Sequence, residues 1–457
     1  MAKLLRIALC LTLVWSAAAP LFAAGLGPTE PKVLWVYKSA EQFVAAPTVG
    51  TKQLFVSTIG AFNTGAVRAL ALDPKADAKA RVVWTISAPY LKLPTVSKPA
   101  LAAGKLVFGD AMHQNDGGTL HCVEAETGLA LWEYVLPGTL VHLEGHPAIV
   151  GDRVYMGGGN AGVFCVELNR VTLKGKDADA KTVAAELDKQ WKILLAKYEA
   201  DKKVDPDFAV PPNRDELPKA MPKLNWKVGT DKWHVDAAVA VAGEHVFAAT
   251  AFLDKEKQGE RALLCLNEKD GSVVWKTPLK LNPWAGPLVA GKRVLVGGST
   301  VRLDPEALHG AKGEIVAMNE ANGQIAWHKE LPGGVVSTAA ATDKVAVFTA
   351  TDGKVRCVSL ADGNDAWAYD CGAPLFAGAT IAGDTVYVGD LKGVVHAIAL
   401  ADGKQLWTLD LHADPAHIGG SIYGTAVVQD GRLYVGTCSV GEGEPERRPN
   451  AIVCIGK

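Results

Sequence analysis

The chain has 457 residues and a formal net charge of -2, from 47 basic and 49 acidic side chains. Because charges of both signs are interspersed along the chain, a nucleic-acid partner is not indicated, and neither is attraction to an acidic membrane surface. The length alone would suggest about three domains of roughly 150 residues. That estimate fails for repeat architectures, so internal repeats must be sought first.

The first element is an apolar segment at the N-terminus. Lys3 and Arg6 precede an apolar run from Ile7 to about Ala24, and the run ends in small residues. This is the layout of a secretory signal peptide. We therefore predict a signal peptide over residues 1–24 and a mature protein that is periplasmic or otherwise exported. The alternative is an uncleaved N-terminal membrane anchor, because a large residue occupies a position where cleavage prefers a small one.

An eleven-residue phrase recurs along the rest of the chain. Each copy has Gly at its seventh position and Trp at its eleventh, and the copies are CVEAETGLALW (122–132), CLNEKDGSVVW (265–275), AMNEANGQIAW (317–327), CVSLADGNDAW (357–367) and AIALADGKQLW (397–407). Four of the five carry Asp-Gly or Asn-Gly between β-rich runs, which is a strong hairpin signal. The repeating unit is predicted to be a four-stranded antiparallel meander.

Interrupted copies raise the number of units to eight. ALALDPKADAKARVVW (69–84) has a longer turn, CVEL (165–168) reaches its Trp only after an insertion, and VLWVYK (33–38) is a Trp strand without a preceding phrase. The eight predicted outer strands contain Trp35, Trp84, Trp132, Trp226, Trp275, Trp327, Trp367 and Trp407. Pairing the N-terminal strand with the last three strands closes an eight-bladed ring, which limits exposed strand edges. We predict an all-β, eight-bladed propeller over residues 32–457.

The phrase resembles the tryptophan-docking motif A-x-D-x-x-T-G-x-x-x-W of the pyrroloquinoline-quinone-like (PQQ-like) β-propellers. This family includes quinoprotein alcohol dehydrogenases and the outer-membrane assembly lipoprotein BamB. The resemblance implies that the first strand of each blade lines a central channel and that each Trp packs between neighbouring blades.

Residues 169–225 interrupt the third blade and do not follow the repeat. Within 179–203, Val183, Leu187 and Trp191 recur at helical spacing, together with Leu194, Leu195 and Tyr198. This pattern predicts an amphipathic helix, and the proline-rich stretch 205–222 predicts an extended return. One interpretation places the helix on the side of its own propeller. The other makes the insertion a docking element for a partner.

Seven cysteines follow the predicted signal peptide. Cys122, Cys165, Cys265, Cys357 and Cys454 occupy the first position of the phrase, where Ala69, Ala317 and Ala397 stand in other blades. Packed sheets are about 10 Å apart, whereas disulfide-bonded Cα atoms lie within about 7 Å. We expect these thiols to be unbridged and buried. A bond between Cys371 and Cys438 is geometrically conceivable but is not predicted.

Catalytic members of the family carry features that this sequence lacks. The resemblance implies an adjacent Cys-Cys pair under the quinone, a calcium site of Glu, Asn and Asp, and a catalytic Asp. The sequence has no Cys-Cys pair and little length for cofactor-binding loops. No cofactor is therefore predicted, although PQQ with calcium stays open as an alternative. No haem or metal-binding spacing is present, and no metal site is predicted.

Any ligand site is expected where the outer strand of one blade crosses to the inner strand of the next. Polar and aromatic candidates at these crossings are His142, Glu144, His146, Trp233, His234, Asp236, Trp284, His412, Asp414, His417 and Tyr423; a neighbouring hairpin loop adds His113, Asn115 and Asp116. Imidazoles and carboxylates together can bind a metal or transfer protons, and aromatic rings can cover an apolar ligand. The simpler interpretation is that they are ordinary polar groups of loops and channel in contact with water.

The sequence therefore favours an exported, non-catalytic propeller. We predict a monomeric scaffold, a protein-binding module of the cell envelope that is similar in role to BamB and has other envelope proteins as partners. It would contact a membrane only through an uncleaved anchor. The alternative is a quinoprotein-related oxidoreductase or ligand-binding protein that uses the central channel.

Overall fold

A computed structural model describes residues 27–61, 64–113, 115–213, 216–301, 307–439 and 449–457. The predicted signal peptide lies outside the described residues. Within these ranges the strands form eight antiparallel sheets, seven of four strands and one of five. No helix in the described ranges is long and apolar enough to cross a bilayer.

The first four blades follow the chain in order. Their strands are β2 Thr48–Val49, β3 Gln53–Ile59, β4 Gly65–Ala71 and β5 Val82–Ser87; β6 Ala100–Ala102, β7 Lys105–Gly109, β8 Gly118–Glu124 and β9 Ala130–Leu136; β10 Ala148–Val150, β11 Arg153–Gly157, β12 Val163–Leu173, β13 Lys176–Asp179 and β14 Met221–Val228; β15 Ala240–Ala242, β16 His245–Leu253, β17 Gln258–Asn267 and β18 Val273–Pro278. Helix α1, Ala78–Arg81, lies in the first blade, and α2, Ala180–Val204, in the third.

The remaining blades repeat the same meander, and the ring closes as predicted. Their strands are β19 Leu288–Ala290, β20 Arg293–Ser299, β21 Gly313–Asn319 and β22 Ile325–Leu331; β23 Ala340–Ala341, β24 Val345–Thr349, β25 Lys354–Ser359 and β26 Asp365–Asp370; β27 Thr380–Ala382, β28 Thr385–Gly389, β29 Val394–Ala399 and β30 Gln405–Asp410; β31 Val427–Gln429, β32 Arg432–Gly436, β33 Asn450–Gly456 and β1 Lys32–Ser39. A 3-10 helix spans Leu308–Gly310. In the eighth blade β1 pairs with β33, which confirms the predicted closure.

The repeated phrase is a docking device between adjacent blades. Trp327 of the fifth blade donates its indole N–H to the carbonyl of Leu360, 3.1 Å away, at the fourth position of the next phrase. Its ring lies against Gly363, the seventh position of that phrase, which has a φ of +74°. A Cβ at Gly363 would lie 2.7 Å from Trp327 Cδ2. The same indole-to-carbonyl bond joins Trp84 to Ala125, Trp132 to Leu168, Trp226 to Glu268, Trp275 to Glu320 and Trp367 to Leu400.

The Gly363→Ala substitution is expected to destabilise the protein by about 2 kcal/mol, because strain from the positive φ adds to a clash with the Trp327 ring. Gly243→Ala is the matched control, since Gly243 has a φ of +57° but no atom would lie within 4 Å of a Cβ added there. Urea unfolding of the two variants separates backbone strain from indole docking. Equal losses of stability would contradict the docking role of Gly363.

Trp407, in the seventh blade, docks on the N-terminal segment and not on a copy of the eleven-residue phrase. Trp407 donates to the carbonyl of Pro28 at 3.2 Å, and the Tyr387 hydroxyl donates to the same carbonyl at 3.1 Å. The Pro28 carbonyl therefore accepts the indole hydrogen bond that, in other blades, goes to the carbonyl at the fourth position of the next phrase. The segment before β1 thus takes part in the packing of the seventh blade.

The helix of the insertion lies partly on its own propeller. Val183 and Leu187 are buried and join one apolar cluster with Trp132 of the second blade. Trp191 and Leu194 are partly buried against the same cluster. This pattern confirms the predicted helix and most of its apolar stripe. Leu195 is an exception, because its side chain is exposed.

The return of the insertion also covers the second blade. Leu217 and Ala220 are buried in the cluster that contains Trp132, and the carbonyl of Ala220 accepts a hydrogen bond from the Glu133 amide at 2.9 Å. Strand β12 continues to Leu173 and pairs there with β13, so the first predicted residues of the insertion extend a blade strand. The base of the insertion is thus part of the propeller core.

All seven cysteines in the described residues are free thiols. Those at the first phrase position lie opposite a Trp in the sheet register, as Cys265 does with Trp275. Burial raises the pKa of Cys265 to about 12 and that of Cys357 to about 11. Thiols with pKa values this high are poor nucleophiles at neutral pH. Their role as alanine-like packing residues agrees with the prediction.

Candidate functional site

Two kinds of connection meet at one end of the propeller. In an antiparallel meander, the loop between the second and third strands lies at the same end as the crossing to the next blade. The first strands of neighbouring blades, such as β6 with β10 and β10 with β15, lie against one another and surround the axis. This arrangement agrees with the channel lining that the family resemblance implies. The predicted site residues therefore divide between the axis and the rim.

The axis is lined by the residues two positions before each first strand. Six of the eight are small or hydroxyl-bearing, namely Ala46, Ala238, Gly286, Thr338, Gly378 and Thr425, and the other two are Lys98 and His146. His146 is accessible to water yet enclosed by the ring. Burial, together with the charge of Lys98, lowers the pKa of His146 to about 4. Burial also lowers the pKa of Lys98.

A compact imidazole–carboxylate cluster lies away from the axis, between the second, third and fourth blades. His142 and His234 are fully buried, and Asp236 is 7% exposed. Asp236 Oδ1 lies 2.6 Å from His142 Nε2 and 2.9 Å from His234 Nε2. The His142 and His234 ring centroids are 5.2 Å apart. One carboxylate therefore faces two buried imidazoles.

His113 and Glu144 complete the outer side of the cluster. The His113 ring stands edge-on to His142 and to His234, with centroids 5.3 and 5.7 Å away. The Glu144 carboxylate accepts a 2.6 Å hydrogen bond from the His113 amide, which holds the β7–β8 loop over the cluster. One donor atom from each of His113, His142, His234 and Asp236 lies within 4.8 Å of every other. These four side chains could together hold a metal ion.

Asn160 is a member of the cluster that was not predicted from the sequence. Its Oδ1 lies 2.7 Å from His234 Nδ1, and its Nδ2 donates to the carbonyl of Thr139 at 3.3 Å. Asn160 belongs to the β11–β12 loop, which lies at the same end as the His113 loop. Both loops join the second and third strands of their blades, and from this the sequence could have placed Asn160 near His113. A single Asn in a glycine-rich loop, however, gave no chemical reason to choose it as a site residue.

Gly159 allows the β9–β10 crossing, which carries His142, to approach the β14–β15 crossing, which carries His234. Gly159 has a φ of +56°, and a Cβ there would overlap the carbonyl of Leu140 and lie 3.2 Å from His142 Cε1. Gly159 also pairs with Val235 through two backbone hydrogen bonds of 2.9 and 3.1 Å. Only a residue without a side chain fits between these segments. The β11–β12 loop therefore aligns His142 with His234.

The remaining predicted site residues do not join this cluster. Trp233 donates its indole N–H to Glu260 at 2.8 Å, Asn115 and Asp116 cap backbone amides of loops, and Trp284 belongs to the next crossing. His412, Asp414, His417 and Tyr423 lie in the crossing between the seventh and eighth blades. There Tyr423 is buried against Phe376, and His412 lies 3.1 Å from the carbonyl of Gly420. The expectation that residues of these crossings bind a ligand stays a prediction.

A second buried polar network is architectural. His121 lies 3.0 Å from Asp110 and 3.5 Å from Glu133. His121 directly precedes the first position of its phrase. In three more blades the residue at this position is also basic and is paired with a carboxylate: Arg68 with Glu41, Arg356 with Asp352 and His396 with Asp390. In the other four blades it carries Phe164, Leu264, Val316 or Val453. The ion pair is thus an alternative to apolar packing at a repeated position.

The imidazole cluster does not fit the calcium site that the family resemblance implies. The cluster offers three imidazoles, whereas calcium is held by oxygen ligands. The sequence also has no adjacent cysteines.

Fold and site together define an eight-bladed β-propeller with a buried imidazole–carboxylate cluster at one end. The family model for outer membrane protein assembly factor BamB matches residues 24–186, 222–308 and 306–442. The chain therefore belongs to this PQQ-like, BamB-type propeller family. The unmatched gap between 186 and 222 falls within the insertion. No curated protein sequence matches the chain.

Solved structures with the same fold include a BamB protein and two dehydrogenases. BamB from Moraxella catarrhalis is 12% identical, with a TM-score of 0.60, and the alignment covers 94% of this chain and 100% of that one. A europium-containing methanol dehydrogenase is 14% identical, with a TM-score of 0.59 and 95% of each chain covered. Quinohemoprotein alcohol dehydrogenase from Comamonas testosteroni is 13% identical, with a TM-score of 0.58, covering 94% of this chain and 76% of that one. At these identities the similarity establishes the fold alone.

Proposed function

We propose that the protein is an exported, non-catalytic scaffold that binds a protein partner in the cell envelope through the outer part of the insertion. The observation that carries this proposal is the apolar surface beyond Leu194. Val204 is 88% exposed, and Phe208 and Val210 are each 82% exposed. Burying such side chains on a partner is worth about 1.5–3 kcal/mol each. An exposed apolar patch of this kind is typical of interaction sites.

These side chains border a groove rather than a flat surface. The end of α2 and the returning chain enclose about 500 Å³. Among the residues that the structure describes, its walls combine Leu194, Tyr198, Phe208 and Val210 with Asp201, Asp205 and Glu216 and with one cation, Lys197. Three carboxylates against one ammonium group favour a partner segment that places apolar side chains between basic residues. A membrane-associated or periplasmic protein with such an exposed segment is the expected partner.

The division of the insertion into two parts supports this function. Its base is needed for packing, because Val183, Leu187 and Leu217 are buried against the second and third blades. The residues from Val204 to Val210 bury little of their apolar surface in the propeller. Their hydrophobicity is therefore unexplained by the stability of this chain and is explained by contact with another protein.

The test is site-specific crosslinking in cells that export the full chain. A photoreactive phenylalanine analogue at position 208 is expected to crosslink to one envelope protein, and the same analogue at Leu406 is expected to give no such product. Leu406 is a fair control, because it is 54% exposed on the seventh blade, away from the insertion.

Affinity measurements with the purified partner provide the quantitative test. The double variant Phe208→Ser, Val210→Ser is expected to bind at least about tenfold more weakly, since it removes two apolar contacts, whereas Leu406→Ser should bind normally. Equal affinities for both variants would contradict the proposal. Circular dichroism should be unchanged in both, because all three side chains are exposed.

The second function is a channel that binds an anionic ligand, and the observation that favours it is Lys98 beside His146 at the axis. The family includes quinone-dependent enzymes, and PQQ itself is a polycarboxylate. Titration of the purified protein with PQQ and calcium, followed by quinone absorbance and thermal unfolding, tests this alternative. Saturable binding lost in Lys98→Ala would favour the channel function over the scaffold.

A further inference from the structure

We infer that His113, His142, His234 and Asp236 form a structural binding site for a first-row divalent transition metal of the zinc type. The four donors come from three separate segments, the β7–β8 loop, the β9–β10 crossing and the β14–β15 crossing. An ion held there would link the second, third and fourth blades at one end of the propeller. This inference is independent of the proposed scaffold function.

The spacing of the donors suits a small ion. Zinc holds imidazole nitrogen and carboxylate oxygen at about 2.0–2.2 Å, so tetrahedral donors lie about 3.3 Å apart. The four donors here are at most 4.8 Å apart, and Asp236 Oδ1 is already 2.6 and 2.9 Å from two of them. Adjustments of about 1 Å or less per donor complete the geometry. His113 is the least buried of the four.

Asn160 fixes the orientation of one ligand. Because its Nδ2 donates to Thr139, its Oδ1 must face His234 Nδ1, which therefore carries a proton and donates to Asn160. In neutral His234 the Nε2 atom then carries a lone pair, and Asp236 Oδ1 lies 2.9 Å away but out of line with it. Within the described residues, that nitrogen has no aligned hydrogen-bond partner. A buried lone pair beside a carboxylate and two further imidazoles is an arrangement that a metal ion completes.

The ligand set identifies the class of ion. Three imidazoles and a carboxylate suit zinc, iron, nickel or copper, whereas calcium and magnesium select oxygen ligands. An outer amide that receives the second imidazole N–H, as Asn160 does for His234, is the usual kind of support for a histidine ligand. Four protein donors at a buried position leave no open coordination site, which is typical of structural rather than catalytic zinc.

The experiment uses the tag-free mature protein, stripped with a chelator and dialysed. Zn²⁺ is titrated in competition with a chromophoric chelator, and Co²⁺ is followed by its visible absorption, which reports tetrahedral coordination. We expect one equivalent to bind and the melting temperature to rise by at least about 3 °C at about one hundred times Kd. His113→Gln and Asn160→Leu are expected to weaken binding at least about tenfold.

His146→Gln is the matched control, because His146 lies in the same crossing as His142 but faces the channel. It should bind metal as the wild type does. Folding of each variant is checked by circular dichroism, and His113→Gln is the variant least expected to disturb folding, since His113 is only partly buried. Less than one equivalent bound to folded wild type at micromolar metal would overturn the inference. Equal affinities for wild type and both site variants would also overturn it.

Discussion

Trp132→Ala is expected to lower the free energy of unfolding by about 3–5 kcal/mol. Trp132 is 1% exposed and packs with Leu187 and Leu217 of the insertion. Its indole also donates to the carbonyl of Leu168 at 3.0 Å. The substitution would leave a cavity and an unsatisfied carbonyl at the junction of two blades and the insertion. Urea unfolding measures the loss.

The same substitution should also loosen the insertion, because its helix packs on the emptied position. Limited proteolysis within 174–222 is therefore expected to be faster in Trp132→Ala than in wild type. Val135→Ala is the control on the same strand, since Val135 is 63% exposed. It should change the stability by no more than about 0.5 kcal/mol. A loss below about 1 kcal/mol for Trp132→Ala would refute the docking role of this indole.

His121→Asn is expected to change the pH dependence of stability. Burial by itself lowers the pKa of His121, but the hydrogen bonds and charges of Asp110 and Glu133 outweigh burial and raise it from 6.5 to about 9. Burial raises the pKa of Glu133, but contact with His121 prevails and lowers it from 4.5 to about 2. Both shifts arise from the same interaction between His121 and Glu133, which contributes to the stability once.

The sign of the effect follows from the direction of each shift. The raised pKa of His121 stabilises the folded state fully below pH 6.5, and this contribution is lost as the pH rises through 9. The lowered pKa of Glu133 stabilises it above pH 4.5, and this contribution is lost as the pH falls through 2. The stability difference between wild type and His121→Asn should therefore be largest between pH 4.5 and 6.5. It is expected to be on the order of 3 kcal/mol there.

Unfolding measured at intervals from about pH 5 to about pH 10 tests this expectation. His245→Asn is the control, because His245 packs against Phe247 rather than a carboxylate. The difference between wild type and His121→Asn should shrink towards the alkaline end of the range, and that for His245→Asn should show no comparable trend. A difference for His121→Asn that stays constant over the range would contradict a charged His121 in the folded protein.

The fold could be predicted from the sequence because the repeat is local and recurs. The hairpin turn at Asp270-Gly271 and the Trp at the eleventh position are separated by only a few residues, so the phrase is visible without knowledge of contacts. Closure could also be predicted, since a lone Trp strand at 33–38 needs the three strands that end the chain. The helix of the insertion was visible from its periodicity.

The buried cluster could be predicted only in part. The chain order showed that His142 and His234 lie in crossings at one end, but not that they lie side by side while His412 and His417 lie in another crossing. Neighbouring blades bring their crossings together, and the positive φ of Gly159 sets their separation. Asn160 carries no sequence signal, because its role depends wholly on the imidazole that faces it.

The number of blades, their closure and the packing role of the cysteines can be predicted from the amino-acid sequence, because they follow from residues close together in the chain or repeated at fixed intervals. Which polar residues share a site and which part of the insertion is buried became visible in the folded structure alone. Those properties depend on contacts between segments far apart in the chain, such as the 94 residues that separate His142 from Asp236.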